Sequence, residues 1–242
     1  VKLAALAAWK KPATSEGVLP APRASSTSRT TTAADELFAW ADAVAHEHGR
    51  VNLVFNNAGV ALGASVETME HQDLEWLMGV NFWGVVHGTQ AFLPHLRASG
   101  DGHVVNISSV FGLISIPTQS AYNAAKFGVR GFTDALRMEL DIADCGVSCT
   151  TIHPGGVRTN IARRARVAPD IADKAGPGGV GAEFDRIARS TPEKAARQIL
   201  TAVQRNRRRA LIGPDAKAID LLSRLPAGVY QRVLVAGARR RG

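Results

Sequence analysis

Apolar and polar residues recur along the chain with periods that predict alternating helices and strands. Residues 35–48 place Leu37, Trp40, Ala41 and Val44 on one helical stripe, and Gly49 stops the helix. The apolar run Val51 to Phe55 follows as a strand, and a loop from Asn56 to about Thr68 leads into a long helix over roughly 71–97 that holds Asn81. A strand from His103 to Ile107 ends at Ser108-Ser109, and a helix over about 120–144 carries Tyr122 and Lys126. The next strand, Val147 to Ile152, runs into His153-Pro154-Gly155. Residues 160–190 are rich in Arg, Ala and Gly with weak periodicity, which suits a loop or short helices over a ligand cleft. A helix over 191–205 opens with a Ser190/Thr191-Pro192-Glu193 cap, Arg209 to Ile212 makes a short last strand, and Pro214 to Leu225 another helix. This alternation predicts an α/β domain with a parallel sheet and ligands at the carboxyl ends of its strands, where the segments at Asn56, Ser109 and Pro154 all fall.

At 242 residues, 45% hydrophobic and 21% charged, the chain can bury one sizeable core, and no second domain is needed. Its apolar runs are too short to span a bilayer, and Lys10-Lys11 interrupts the apolar start before a secretory core develops, so a cytoplasmic protein is expected. Cys145 and Cys149, the only cysteines, have no ligand pattern around them and read as reduced core residues; His46 and His48 diverge on their helix, and no metal site is expected. The net charge of +8 is a property of the tail: residues 201–242 carry ten Arg or Lys against Asp215 and Asp220, leaving 19 of each sign in the remainder. The clusters Arg205 to Arg209 and Arg239 to Arg241 have no interleaved aromatics, so they read as solvated surface in preference to a nucleic-acid site, with contact to an anionic membrane the lesser alternative.

The chemistry concentrates in Ser109, Tyr122 and Lys126. A Tyr and a Lys four residues apart share one helix face, where an ammonium can hold a phenol partly ionised near neutral pH although the free group has a pKa near ~10. A Ser presented from a neighbouring strand end can hydrogen-bond the same oxygen that the Tyr protonates. The pair alone is a common helical spacing, but its surroundings are not: Asn56-Asn57-Ala58-Gly59, then Asn81 in Val80-Asn81-Phe82-Trp83-Gly84, then His153-Pro154-Gly155-Gly156-Val157-Arg158-Thr159.

In order and spacing these motifs resemble the short-chain dehydrogenase/reductase family over roughly residues 35–215. The resemblance implies a Rossmann-like, doubly wound parallel sheet and an NAD- or NADP-dependent oxidoreductase that interconverts a secondary alcohol and a ketone. It makes Tyr122 the general acid/base, Lys126 its pKa modifier and a ligand of the nicotinamide ribose, and Ser109 the donor that orients the carbonyl, with Ser108 turned to the sheet interior. Asn81 matches the helix Asn that holds a water in a proton relay. Asn57, Ala58 and Gly59 match a segment beside the cofactor, and Pro154, Gly155, Val157 and Thr159 the loop around the nicotinamide. His153, where Asn is often found, reads as a tolerated variation. A homodimer or homotetramer through the two long helices is also implied.

The family's opening Thr-Gly-x-x-x-Gly-x-Gly turn is not in the sequence, where only Gly17 and Gly49 precede Asn56. Residues 1–34 are dominated by Ala, Ser, Thr and Pro with Glu16 the only acid, a composition that suits disorder or a flexible strap, so the catalytic domain is expected over 35–242 with an N-terminally incomplete sheet from a truncated or frame-shifted reading frame. The alternative reading is a non-catalytic binding or regulatory protein on the same scaffold.

Overall fold

The computed structural model describes residues 30–239, so the strap expected upstream of residue 30 lies outside the described residues. Helix α1 (Thr30–His48) starts earlier than its hydrophobic stripe suggests. Strands β1 (Leu53–Asn56), β3 (Gly102–Ile107), β4 (Val147–Pro154) and β6 (Arg209–Ile212) form a parallel sheet in the order β1-β3-β4-β6. Val54 lies beside Val104 and Val104 beside Cys149, which puts the three on one face of the sheet. There they pack with Leu37, Ala41 and Val44 of α1, with Ala91, Phe92 and Leu96 of α3 (Gly84–Ser99), and with Leu136 and Leu140 of α4 (Ser120–Ala143). The alternate residues Leu53, Val105, Ile152 and Ile212 face the other way, onto Ala195, Ile199 and Ala202 of α7 (Pro192–Gln204). Both faces are thus covered, which is why the strands read as unbroken apolar runs.

The long helix expected over 71–97 is three pieces: α2 (His71–Met78), a π-helical turn Gly79–Trp83, and α3. A π turn widens the helix by one residue and recurs at functional positions, and here it carries Asn81. The weakly periodic segment folds into β5 (Arg166–Val167), α5 (Pro169–Ala172) and α6 (Gly179–Ile187), and β5 pairs in parallel with β2 (Leu62–Gly63). Helix α8 (Pro214–Ser223) ends earlier than expected and is followed by α9 (Ala227–Arg239), which the hydrophobic pattern does not announce. Among the described residues no helix is long and apolar enough to cross a membrane, and no His, Cys, Asp or Glu cluster could hold a metal. Cys145 and Cys149 are free thiols, the second buried.

Polar side chains tie the sheet to its helices under the site. Asn56 donates to Thr89 Oγ1 (3.1 Å) and Asn106 Oδ1 (2.8 Å), and Asn106 donates to Thr133 Oγ1 (3.0 Å), linking α3, β1, β3 and α4. Gly88 faces this chain so closely that a Cβ there would overlap Asn56 Oδ1. A glycine inside a helix normally gains up to about 1 kcal/mol on replacement by alanine. Gly88→Ala is expected to do the opposite, lowering stability by about 1–3 kcal/mol as Asn56 loses its buried partners, measured by urea denaturation.

Candidate active site

The strand ends β1, β3 and β4 and the first turn of α4 converge on one region. Ser109 follows β3 in an extended conformation (φ −166°, ψ 168°), and its side chain accepts the Phe111 N–H at the start of a 3₁₀ turn (3.1 Å). Ser108 is buried and turned to α4, donating to the Lys126 carbonyl at 2.8 Å, which leaves Ser109 facing the site. Gly112 packs against that carbonyl, where a Cβ would sit 2.7 Å from the oxygen. On α4, Asn123 donates to the carbonyls of Phe111 (2.8 Å) and Ile114 (3.0 Å) and accepts from Ile116 N, so it clasps the whole loop after Ser109. Nothing in the pattern singled out Asn123; its only signal was its place beside Tyr122.

Lys126 is buried at 3% exposure, its Nζ donating to the Ile107 carbonyl at 2.9 Å and lying 5.6 Å from the centre of the Tyr122 ring. Burial lowers its amine from 10.5 to about 8. Burial likewise pushes the Tyr122 phenol up to about 12, a hydrogen bond with the Ser109 side chain acting in the opposite direction. Burial thus shifts the phenol in the direction opposite to the partial ionisation expected from the Tyr-Lys spacing. Desolvation outweighs an ammonium that points at a carbonyl, and the phenol keeps its proton at neutral pH.

Asn81 is fully buried, its Oδ1 accepting the Val60 N–H (2.8 Å) and its Nδ2 donating to the Val60 carbonyl (2.9 Å). This double bond-pair spends the amide on the loop after β1. At Gly59 a Cβ would lie 3.6 Å from Asn81 Oδ1 and 3.9 Å from Lys126 Nζ, so the bare backbone of this loop reaches the Lys126 amine. Asn57 is exposed and Ala58 half-buried on the same loop.

The loop after β4 brings in Pro154, Gly155 and Val157. Gly155 N–H bonds the Ile212 carbonyl (3.0 Å), Val157 bridges to Ser190, and Asp215 at the start of α8 accepts the Gly156 N–H (2.5 Å). A Cβ on Gly155 would overlap that carboxylate, which the motif alone could not reveal. Thr159 is exposed further along, its hydroxyl accepting from Ile161 N. His153 is more than a tolerated variation, because its buried imidazole bonds the Ser109 carbonyl through Nδ1 at 2.8 Å. That carbonyl can only accept, so Nδ1 carries the proton, while Nε2 is buried with no partner. Burial drives the His153 pKa down to about 4.

One wall is built by the β2–β5 pair, extended by Ala64 N–H donating to the Thr118 carbonyl (3.0 Å). Arg166 of β5 pairs with Asp73 (2.5 Å) and lies 3.8 Å over the Trp76 ring, and Thr68 donates to Asp170 (2.9 Å), so α2 fastens this segment. A cavity of about 540 Å³ opens between Ala162–Val167 and Gly178–Ala182, lined by neither Ser109 nor Tyr122.

A parallel sheet wound by helices on both faces, with its reactive side chains gathered at the strand carboxyl ends, is a Rossmann-like architecture. A family profile described as short chain dehydrogenase matches residues 8–169, beginning upstream of the motif-bearing part. The chain is 50% identical over 205 residues, 84% of its length and 72% of the partner's, to SadH of Mycobacterium tuberculosis, whose name describes an oxidoreductase. It is 35% identical over 188 residues to the oxidoreductase BOA17 of Botryotinia fuckeliana, covering 72% and 68% of the two chains. The crystal structure of a short chain dehydrogenase/reductase from Burkholderia phymatum in complex with NAD superposes with a TM-score of 0.67 at 31% identity, over 78% of this chain and 70% of that one. This chain belongs to the short-chain dehydrogenase/reductase family of oxidoreductases.

Two pH dependences follow from the buried groups. Lys126 is held below its ordinary pKa, so between pH 8 and 10.5 the unfolded chain binds more protons and stability should rise with pH through that window. Lys126→Met should remove that rise, measured by chemical denaturation across the range. His153, also depressed, should lose stability as pH falls from 6.5 towards 4, by up to about 3 kcal/mol at 1.36 kcal/mol per pKa unit. His153→Asn, which keeps a donor for the Ser109 carbonyl, should remove its share of that limb, leaving the part due to His103, which burial also lowers to about 4.

Proposed function

We propose that the chain interconverts a secondary alcohol and a ketone with NAD or NADP, using Tyr122 as the proton donor and acceptor. The observation that carries this reading is the buried Lys126 amine, tied to the Ile107 carbonyl at the end of β3 and 5.6 Å from the centre of the Tyr122 ring, with Ser109 next along the same strand end. In the reducing direction a protonated phenol is the form required, and burial keeps it protonated at neutral pH. Ser109 donates a hydrogen bond to the carbonyl oxygen, keeping its own proton, and holds that oxygen within reach of Tyr122 while sharing the negative charge that develops there.

Lys126 spends one N–H on Ile107 and has two more donors of the three an ammonium carries, which fits ribose hydroxyls beside the bare Gly59 backbone. Asn57, Ala58, Gly59, Pro154, Gly155, Val157 and Thr159 are the residues that would flank the nicotinamide half. When bound, that group supplies or accepts the hydride. Asn81, already engaged by Val60, acts by holding the Gly59 loop against Lys126 and by steadying any water between them. The His153 bond fixes the Ser109 backbone and thereby its hydroxyl. The exposed apolar residues Trp83, Phe127, Met138 and Ile142 support pairing of two copies through the helices that carry them.

A second reading is a non-catalytic binding protein on the same scaffold, which differs from the first in predicting no turnover of any ketone. The discriminating experiment titrates the purified chain with NADH and NADPH, following cofactor fluorescence and thermal midpoint together, and then screens ketones. Saturable binding that raises the midpoint is expected. Tyr122→Phe should retain that binding while losing about 10²–10⁴-fold in kcat/KM for ketone reduction. Full activity in that variant would refute the assigned role, and a folded chain that binds neither cofactor would support the second reading.

A further inference from the structure

Helix α9 follows α8 after Pro226, and none of its described side chains is buried. Tyr230 and Leu234, one turn apart, are half-covered, whereas Val229, Val233 and Val235 are 45%, 59% and 41% exposed. Just upstream, Leu221 and Leu225 are 69% and 45% exposed. Leu221, Leu225, Val229 and Val233 thus recur at every fourth position through the turn between the helices. A helix of 13 residues is marginal in water by itself, and its stability normally comes from covering its apolar side.

The same helix is cationic. Arg232 stands within one turn of Val229 and Ala236, Arg239 within one turn of Ala236, and α9 contains no acid. The tail's two acids are committed inside the domain, Asp220 to Arg209 (3.1 Å) and Arg224 (2.9 Å), and Asp215 to the Gly156 N–H (2.5 Å). On α9 the exposed Arg232 and Arg239 therefore stand on the same helix as exposed valines. Phosphodiester backbones reward the arginines and not the valines. A second copy would cover the valines but bring like charges together. An anionic lipid surface rewards both, with apolar side chains at the headgroup–acyl boundary and arginines on the phosphates.

We propose that α9, with the end of α8, docks this domain onto anionic lipid. The test incubates the full chain with phosphatidylcholine vesicles with and without phosphatidylglycerol, followed by sedimentation at low and high salt. Partition onto the phosphatidylglycerol vesicles alone, weakened by salt, is expected. The Arg232→Gln/Arg239→Gln double variant should lose roughly fivefold for each arginine. Val229→Ser/Val233→Ser should lose about tenfold or more, with an unchanged melting temperature because both sites are exposed. No partition overturns the proposal, as does binding indifferent to the valine changes, which would be adsorption by charge alone. A valine variant that altered the oligomeric mass and not the partition would assign the face to a second copy. Binding of duplex DNA, with no vesicle partition, would assign it to nucleic acid.

Discussion

Lys126 is bound at both of its ends to the carboxyl end of one strand, and the site hangs on that double attachment. Its amine reaches the Ile107 carbonyl while its own carbonyl accepts the Ser108 hydroxyl, so α4 can neither slide nor roll against β3 without breaking a buried hydrogen bond. The bare Gly112 lets the strand's continuation press against the same carbonyl. With that register set, Tyr122 falls one turn earlier on α4, beside Ser109. A buried amine left unpaired is expensive, which makes this contact a strong selector among possible packings.

The surrounding elements hold this arrangement from three further sides. Asn81, carried by the π turn, pins the loop after β1 through both functions of its amide. Asn123 clasps the loop after Ser109, and His153 holds the Ser109 carbonyl from β4. All three side chains are buried, so their hydrogen bonds face little competition from water. The same dryness moves Tyr122 and Lys126 towards their neutral forms. A proton placed on the phenol is thereby kept there until an acceptor arrives.

The charge excess of the protein lies away from this site. The excess of positive charge lies in the tail, whereas the sheet's polar interior is built largely from amides, hydroxyls and histidines, with Arg137 and Lys126 each donating to a strand carbonyl. His103 shows this at the opposite end of β3, where it bonds Ser148 and Thr150 and burial lowers its pKa to about 4. The net positive charge of the protein is therefore set mainly by its C-terminal part, where ten Arg or Lys face two acids.

The sequence by itself determined the alternation of strands and helices, the parallel sheet, and the family, because apolar periodicity and spaced motifs are local properties of a chain. Ser109, Tyr122 and Lys126 were singled out for the same reason, and the structure gathers them at the carboxyl end of β3. It did not determine what burial does to them. The spacing suggested a partly ionised phenol, whereas the desolvation by packed neighbours acts in the opposite direction and raises its pKa. The break of the long helix into a π turn, the backbone clasp made by Asn123, the Asp215 carboxylate beneath Gly155 and the His153 bond to Ser109 were decided by tertiary structure alone. Each joins residues far apart in the sequence or depends on a hydrogen bond whose partner carries no motif. The apolar row of α9 was likewise hidden, since a pattern shows which residues share a face and not whether anything covers it.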